Sequence, residues 1–117
     1  MQLTEITYQN AVPIDGYGPG FFRIKNEVLH GHVIVTATGA RLWGGLADAE
    51  ALLALAGEVD VLFVGTGGEI AHIPAPLRAT LEAAGLGAEV MNSPAAARTY
   101  NVLVNEGRRV AAALLTV

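Results

Sequence analysis

The chain contains no cysteine among its 117 residues, a single serine, Ser93, and a single lysine, Lys25. Without Cys there is no thiol nucleophile, no thiolate zinc site and no disulfide, a composition suited to a reducing compartment, so a cytoplasmic location is expected. With one Lys, six Arg and a net charge of −4, the chain lacks the broad basic surface with which proteins neutralise phosphate backbones, and nucleic acid is not an expected partner. No apolar run approaches the ~20 residues that cross a bilayer, and the opening "MQLTEITYQN" has neither the basic start nor the apolar stretch of a secretory signal. A membrane-spanning protein is therefore not expected.

What is present is a foldable core. Hydrophobic residues make up 52% of the chain and charged residues only 15%, enough apolar surface to offset the entropy of ordering without staples. The length suits one domain over residues 1–117. Residues 1 to 20 carry Pro13, Gly16, Gly18, Pro19 and Gly20 and read as surface loop, with room for a short pairing near "LTEITY". In "FFRIKNEVLHGHVIVTATG" the pair Lys25-Asn26 separates two β-rich runs as a tight hairpin turn does, and "HVIVTA" is apolar enough to be covered on both faces.

Three helices and three more strands follow. Asp48 can cap a helix over "DAEALLALAG", whose stripe is Ala49, Leu52, Leu53 and Ala56, with Gly57 at its end. "VDVLFVG" is a buried strand; Pro76 opens a helix with stripe Leu77, Leu81 and Ala84, ending at Gly85. "GAEVM" is a short strand, Ser93 and Pro94 start "PAAARTYNVLVNE", Gly107 closes it, and "RRVAAALLTV" is the last strand. This order predicts an α/β fold: a central mixed β-sheet flanked by helices, with an antiparallel hairpin at the start.

Few constellations carry chemistry. The turn "GTGGEIA" places Gly65, Thr66, Gly67 and Gly68 after a strand, but Ile70 stands where the dinucleotide fingerprint needs glycine, and no Lys-Ser/Thr pair makes a triphosphate loop. A nest of backbone N–H groups for a small anion, or a plain corner, are the two readings left. His30 and His32 share a strand face with Glu27 nearby and His72 on the long turn, a weak metal pattern; no metal or cofactor is expected. Helix capping accounts for Ser93, and Asp48/Glu50 and Glu58/Asp60 fit solvated helix ends, so no catalytic residue is assigned. The densest polar cluster is "RTYN...EGRR". Arg98, Asn101 and Asn105 fall on one helix flank, opposite Ala96, Tyr100 and Leu103; a fold-internal network is expected in which Arg98 pairs a carboxylate or binds backbone carbonyls and Glu106 with Arg108 fixes the turn into the last strand. Trp43 and Tyr17 sit in glycine-rich chain as apolar lids or exposed anchors.

Taken together, "IDGYGPGFFRI", "GARLW", "VGTGGEIAHIPAPLR" and above all "AAARTYNVLVNEGRRVAAALL" resemble the small Mth-like domain proteins, a family whose members include a mitochondrial respiratory complex I assembly factor. The resemblance implies a three-layer α/β fold around a mixed sheet. It also implies that Gly65, Thr66, Gly67, Arg98, Thr99, Asn101, Glu106 and Arg108 belong to a recurring pattern, with Tyr17 and Trp43 alongside. Relatives often carry Thr in place of Ser93. The function so implied is a non-catalytic protein-binding or assembly module, tied to a respiratory or membrane-associated complex or to a second copy of itself, and contacting its partner through Tyr17, Trp43, Arg98, Glu106 or Arg108. The alternative is a small-ligand enzyme or sensor that holds a carboxylate or phosphate between the Gly65–Gly68 turn, Arg98 and Asn101.

Overall fold

The segment VAAAL near the end of the chain is apolar on both faces, and three of its five side chains are bare methyl groups, with larger ones only at its two ends. Such a strand suits the middle of a sheet with elements packed closely above and below. In the computed structural model, which describes residues 12–117, all five of its residues are buried. The elements are β1 (Ile14–Gly18), β2 (Phe21–Ile24), β3 (Glu27–His30), β4 (Val33–Thr36), β5 (Gly39–Leu42), α1 (Ala49–Leu53), β6 (Val61–Gly65), α2 (Ala75–Ala83), β7 (Gly87–Met91), α3 (Ser93–Asn105) and β8 (Val110–Leu114). The main sheet has the order β5-β4-β8-β6-β7. β8 runs antiparallel to β4 and parallel to β6, so the sheet is mixed, as expected.

The two-residue alternation of β8 sorts the interior into two cores. Val110, Ala112 and Leu114 face α3 and the small N-terminal sheet, together with Phe63 and Tyr100. Ala111 and Ala113 face α1 and α2, together with Leu52, Leu62, Leu77, Leu81 and Trp43. The result is three layers: two helices, the mixed sheet, then α3 beside a second sheet. The buried run Val33, Ile34, Val35 belongs to both cores, as a strand covered on both faces must.

The beginning of the chain departs from expectation. Residues 14–18 form a strand rather than loop, and β1-β2-β3 make a separate three-stranded sheet. Glycine makes this possible: a Cβ on Gly18 would lie 2.5 Å from the Phe21 ring, so the bare backbone is what lets that ring cross β1. Lys25 and Asn26, both at positive φ (53° and 69°), turn β2 into β3, as a two-residue hairpin loop of this twist requires. The second β-rich run is not continuous, because Gly31 at φ 140° breaks it and sends β4 into the other sheet. The pairing expected near "LTEITY" lies outside the described residues.

Helix ends follow their punctuation with small shifts. Asp48 accepts the Ala51 N–H, yet α1 stops at Leu53 and passes through irregular turns to Gly57 at φ 86°. Leu55 is buried there while Ala56 is only half-buried. After α2, Gly85 donates to Glu82 O and Leu86 to Leu81 O, a Schellman closure that buries Leu86 and leaves Ala84 exposed.

Tyr100 is fully buried and its hydroxyl donates to Val12 O at 2.9 Å, joining α3 to the start of the described chain. Burial pushes its phenol well above the ordinary tyrosine range. The unfolded chain therefore gives up this proton first, near pH ~10, and the native state then binds the extra proton. Stability is predicted to hold below that pH and to fall above it, by at most about 1.4 kcal/mol per pH unit. Denaturant titrations across the alkaline range are expected to show this slope in the native sequence and a smaller one in Tyr100→Phe, which also loses ~1–2 kcal/mol at neutral pH by stranding the Val12 carbonyl.

Candidate functional site

The glycine turn begins where β6 leaves the sheet between β7 and β8, so its backbone has close neighbours on both sides. A Cβ on Gly65 would meet Ser93 Cα and Ser93 Oγ at 2.7 Å and Leu114 Cδ2 at 2.8 Å. Only glycine fits. Gly67 takes φ 97°, a conformation that glycine adopts without strain.

Ser93 organises this corner. Asn92, not Ser93, is the N-cap of α3: its Oδ1 accepts the Ala95 N–H at 2.8 Å. Ser93 lies one residue inside the helix and is fully buried, and its hydroxyl accepts from Gly67 N at 2.9 Å and donates to Leu115 O at 2.6 Å. Its own N–H donates to Gly67 O at 2.7 Å, and Leu115 N donates to Gly65 O at 2.9 Å. Thr66 adds a second tie. Its N–H donates to Met91 O, its hydroxyl donates to Glu69 O at 2.8 Å, and that hydroxyl accepts from Ala71 N at 3.0 Å. The N–H groups of Thr66 and Gly67 thus serve the protein's own acceptors, whereas an anion nest needs them turned outward.

The helical cluster divides into inward and outward groups. Asn101 pins β1 with both ends of its amide: Oδ1 accepts Ile14 N at 2.9 Å and Nδ2 donates to Ile14 O at 2.8 Å. It acts as a strand neighbour would, and its hydrogen-bonding capacity on that side is used. Arg98 is exposed, bounds neither of the cavities described below, and among the described residues forms no ion pair or hydrogen bond with the glycine turn. Glu106 and Arg108 are exposed as well and form no ion pair with each other. The turn they were expected to fix is closed instead by backbone, with Arg108 N donating to Leu103 O at 3.0 Å and Gly107 N to Val104 O at 3.1 Å.

Trp43 is an internal lid. It is 5% exposed, its indole N–H donates to Asp48 O at 3.1 Å, and its ring stands edge-on to His32. A side chain so enclosed cannot serve as an exposed anchor. Tyr17, by contrast, is 47% exposed. The two histidines of "HGH" part at Gly31: His30 lies against Phe21, and His32 Nδ1 accepts Thr116 N at 3.0 Å. Among the described residues no cluster of three His, Asp or Glu has the placement of a metal site.

Two hollows stand out among the described residues. One, of about 320 Å³, lies between Ile70, Ala71, His72, Arg78 and Val90. The other, of about 190 Å³, lies at the opposite end of the sheet, where β6 and β8 begin, and is bounded by Thr36, Thr38, Glu58, Val59, Val104 and Arg108 among others. The sequence pattern pointed to neither hollow; the signal for the second was Gly-Arg-Arg leading into a buried strand.

The division of labour between Asn92 and Ser93 is measurable by chemical denaturation. Asn92→Ala is expected to cost ~1 kcal/mol, as cap removal does. Ser93→Ala strands the buried Gly67 N–H and the half-buried Leu115 carbonyl, and is expected to cost ~2–4 kcal/mol, clearly the larger of the two.

Residues 14–115 match the family described as protein of unknown function DUF498/DUF598. The chain is 55% identical over 108 residues to an uncharacterised protein of Rhodobacter capsulatus, covering 92% of this chain and 87% of that one. Among solved structures it resembles a protein of Bartonella henselae described as an outer membrane protein, with a TM-score of 0.82 and 33% identity over 92% of this chain and 98% of the other. It also resembles a Mth938-like domain of Bordetella pertussis, with a TM-score of 0.73 and 29% identity over 88% of this chain and 84% of the other. With its corner of interlocked glycines, its mixed sheet and this match over most of its length, the chain belongs to the DUF498/DUF598 family of Mth938-like domain proteins.

Proposed function

We propose that the protein is a non-catalytic binding module that meets a protein partner through the outer stripe of α3. The observation that carries this reading is the stripe itself. Arg98, Val102, Asn105 and Glu106 recur at helical spacing and are all exposed, Val102 at 57%. An apolar side chain so open, between a cation and an anion, is the composition of a small contact surface with a charged rim. Inside, the described polar side chains are spent on the fold: no buried side-chain nitrogen or oxygen among them lacks a partner. A reactive site ordinarily keeps such groups unspent for substrate.

The specific form we favour is an assembly role in the cytoplasm, for a respiratory or other membrane-associated complex. Its support is the sequence resemblance given above. A second copy of the chain is the other partner this surface suits. The competing reading, an anion held by the glycine turn with Arg98 and Asn101, draws less support, because Asn101 and the Thr66 and Gly67 N–H groups are engaged elsewhere.

A photo-crosslinking residue at position 102, used in cells and read by mass spectrometry, tests the proposal. A reproducible protein partner, or a crosslinked dimer, is expected, with yield falling several-fold in Arg98→Glu. That variant should fold normally, since exposed substitutions shift stability by only ~0.5 kcal/mol. No reproducible crosslink, or one indifferent to Arg98, would rule the surface out.

A further inference from the structure

We infer that the cavity at the amino ends of β6 and β8 binds a monocarboxylate with a short, branched apolar tail. This goes beyond the proposed partner surface and rests on different residues. Its floor is apolar and preformed: Val59, Val104 and Val110 line it and are each less than a tenth exposed. Its volume of about 190 Å³ is below that of a drug-sized pocket and suits an acid of about five carbons.

The charge at the rim is supplied asymmetrically by two adjacent arginines. Arg109 is occupied: its Nη2 donates to Gly57 O at 2.7 Å, and its Nε lies 3.9 Å from the Asp60 carboxylate. Arg108 also lines the cavity, and among the described residues its guanidinium has no ion pair. The positive-φ turn at Gly107 and the bond from Arg108 N to Leu103 O hold its backbone against the end of α3. A planar cation on a fixed backbone beside an apolar floor is matched by a carboxylate whose tail enters the floor. Thr36 and Thr38 line the same cavity; Thr36 Oγ1 lies 3.2 Å from Thr38 Oγ1 and 3.4 Å from Gly39 O, and when Thr36 donates to Thr38 the Thr38 proton is free to turn toward a ligand oxygen.

Glu58 narrows the class. It lines the same cavity, and its negative charge repels a second one, which disfavours phosphate and dicarboxylates relative to a monoanion.

The test is a titration of the ¹⁵N-labelled full chain with isovalerate, followed by amide chemical shifts. Saturable shifts are expected at Thr38, Val59, Gly107 and Arg108. Affinity is expected to fall about tenfold in Arg108→Gln and to rise in Glu58→Gln. Isoamyl alcohol, with the same tail and no charge, and inorganic phosphate should each fail to saturate these shifts. Arg108 and Glu58 are exposed, so both variants should retain the native spectrum. Absence of saturable shifts, binding undiminished in Arg108→Gln, or shifts centred on Gly65–Gly68 would each overturn the inference. None of these results bears on the α3 stripe, whose residues Arg98 and Val102 lie outside this cavity.

Discussion

At the carboxyl ends of β6 and β8 the backbones of three elements come so close that no side chain fits at Gly65, and the Ser93 hydroxyl joins them by bonding Gly67 N and Leu115 O at once. Much of the molecule's geometry follows from that contact. It fixes where α3 starts relative to the sheet, and from that start Ala96, Ala97, Tyr100 and Val104 fall onto the β8 face formed by Val110, Ala112 and Leu114. Small residues on both sides let the helix lie close. Tyr100 and Asn101, carried by the same helix, then reach Val12 and Ile14 and tie the three-stranded sheet to the rest.

The same contact closes off the space directly beside the glycine turn. In open sheets of parallel strands, ligands usually sit beyond the carboxyl ends. Here the space directly beside Gly65 and Gly67 is taken by Ser93, and by the chain after β8, whose Thr116 carbonyl lies 3.2 Å from where a Gly67 Cβ would be. Internal hydrogen bonding takes up the Thr66 and Gly67 N–H groups. At the opposite end α3 closes in a backbone turn at Gly107 that borders the cavity. Room remains there between the β4–β5 turn and the entry to β8. The outward stripe of α3 is a third environment, facing neither end.

Much of the architecture was legible because its signals are local. The apolar run of β4 reveals coverage on both faces, that of β6 a buried strand, the Lys25-Asn26 turn marks a hairpin, and Gly85 and Gly107 mark helix ends. The strand β1 was not legible, because its Gly16 and Gly18 look like loop until the Phe21 ring is seen lying across the backbone. Gly31 gave no sign that it would divide one β-rich run between two sheets. Ser93 and Asn92 are adjacent and both competent caps, so composition could not say which one caps. Arg98, Asn101 and Arg108 were picked out together, yet they face three different surroundings.

The amino-acid sequence alone therefore determined the class of fold, the order of most elements and the lack of any strong catalytic constellation, since periodicity, turn residues and composition act over a few neighbouring positions. Tertiary structure decided what each polar residue does. Ser93 meets its partners 26 and 22 residues away and Asn101 meets Ile14 at a separation of 87. Such pairings exist only once the sheet has brought distant chain together, so no local pattern can encode which groups are consumed by the fold and which are left facing solvent.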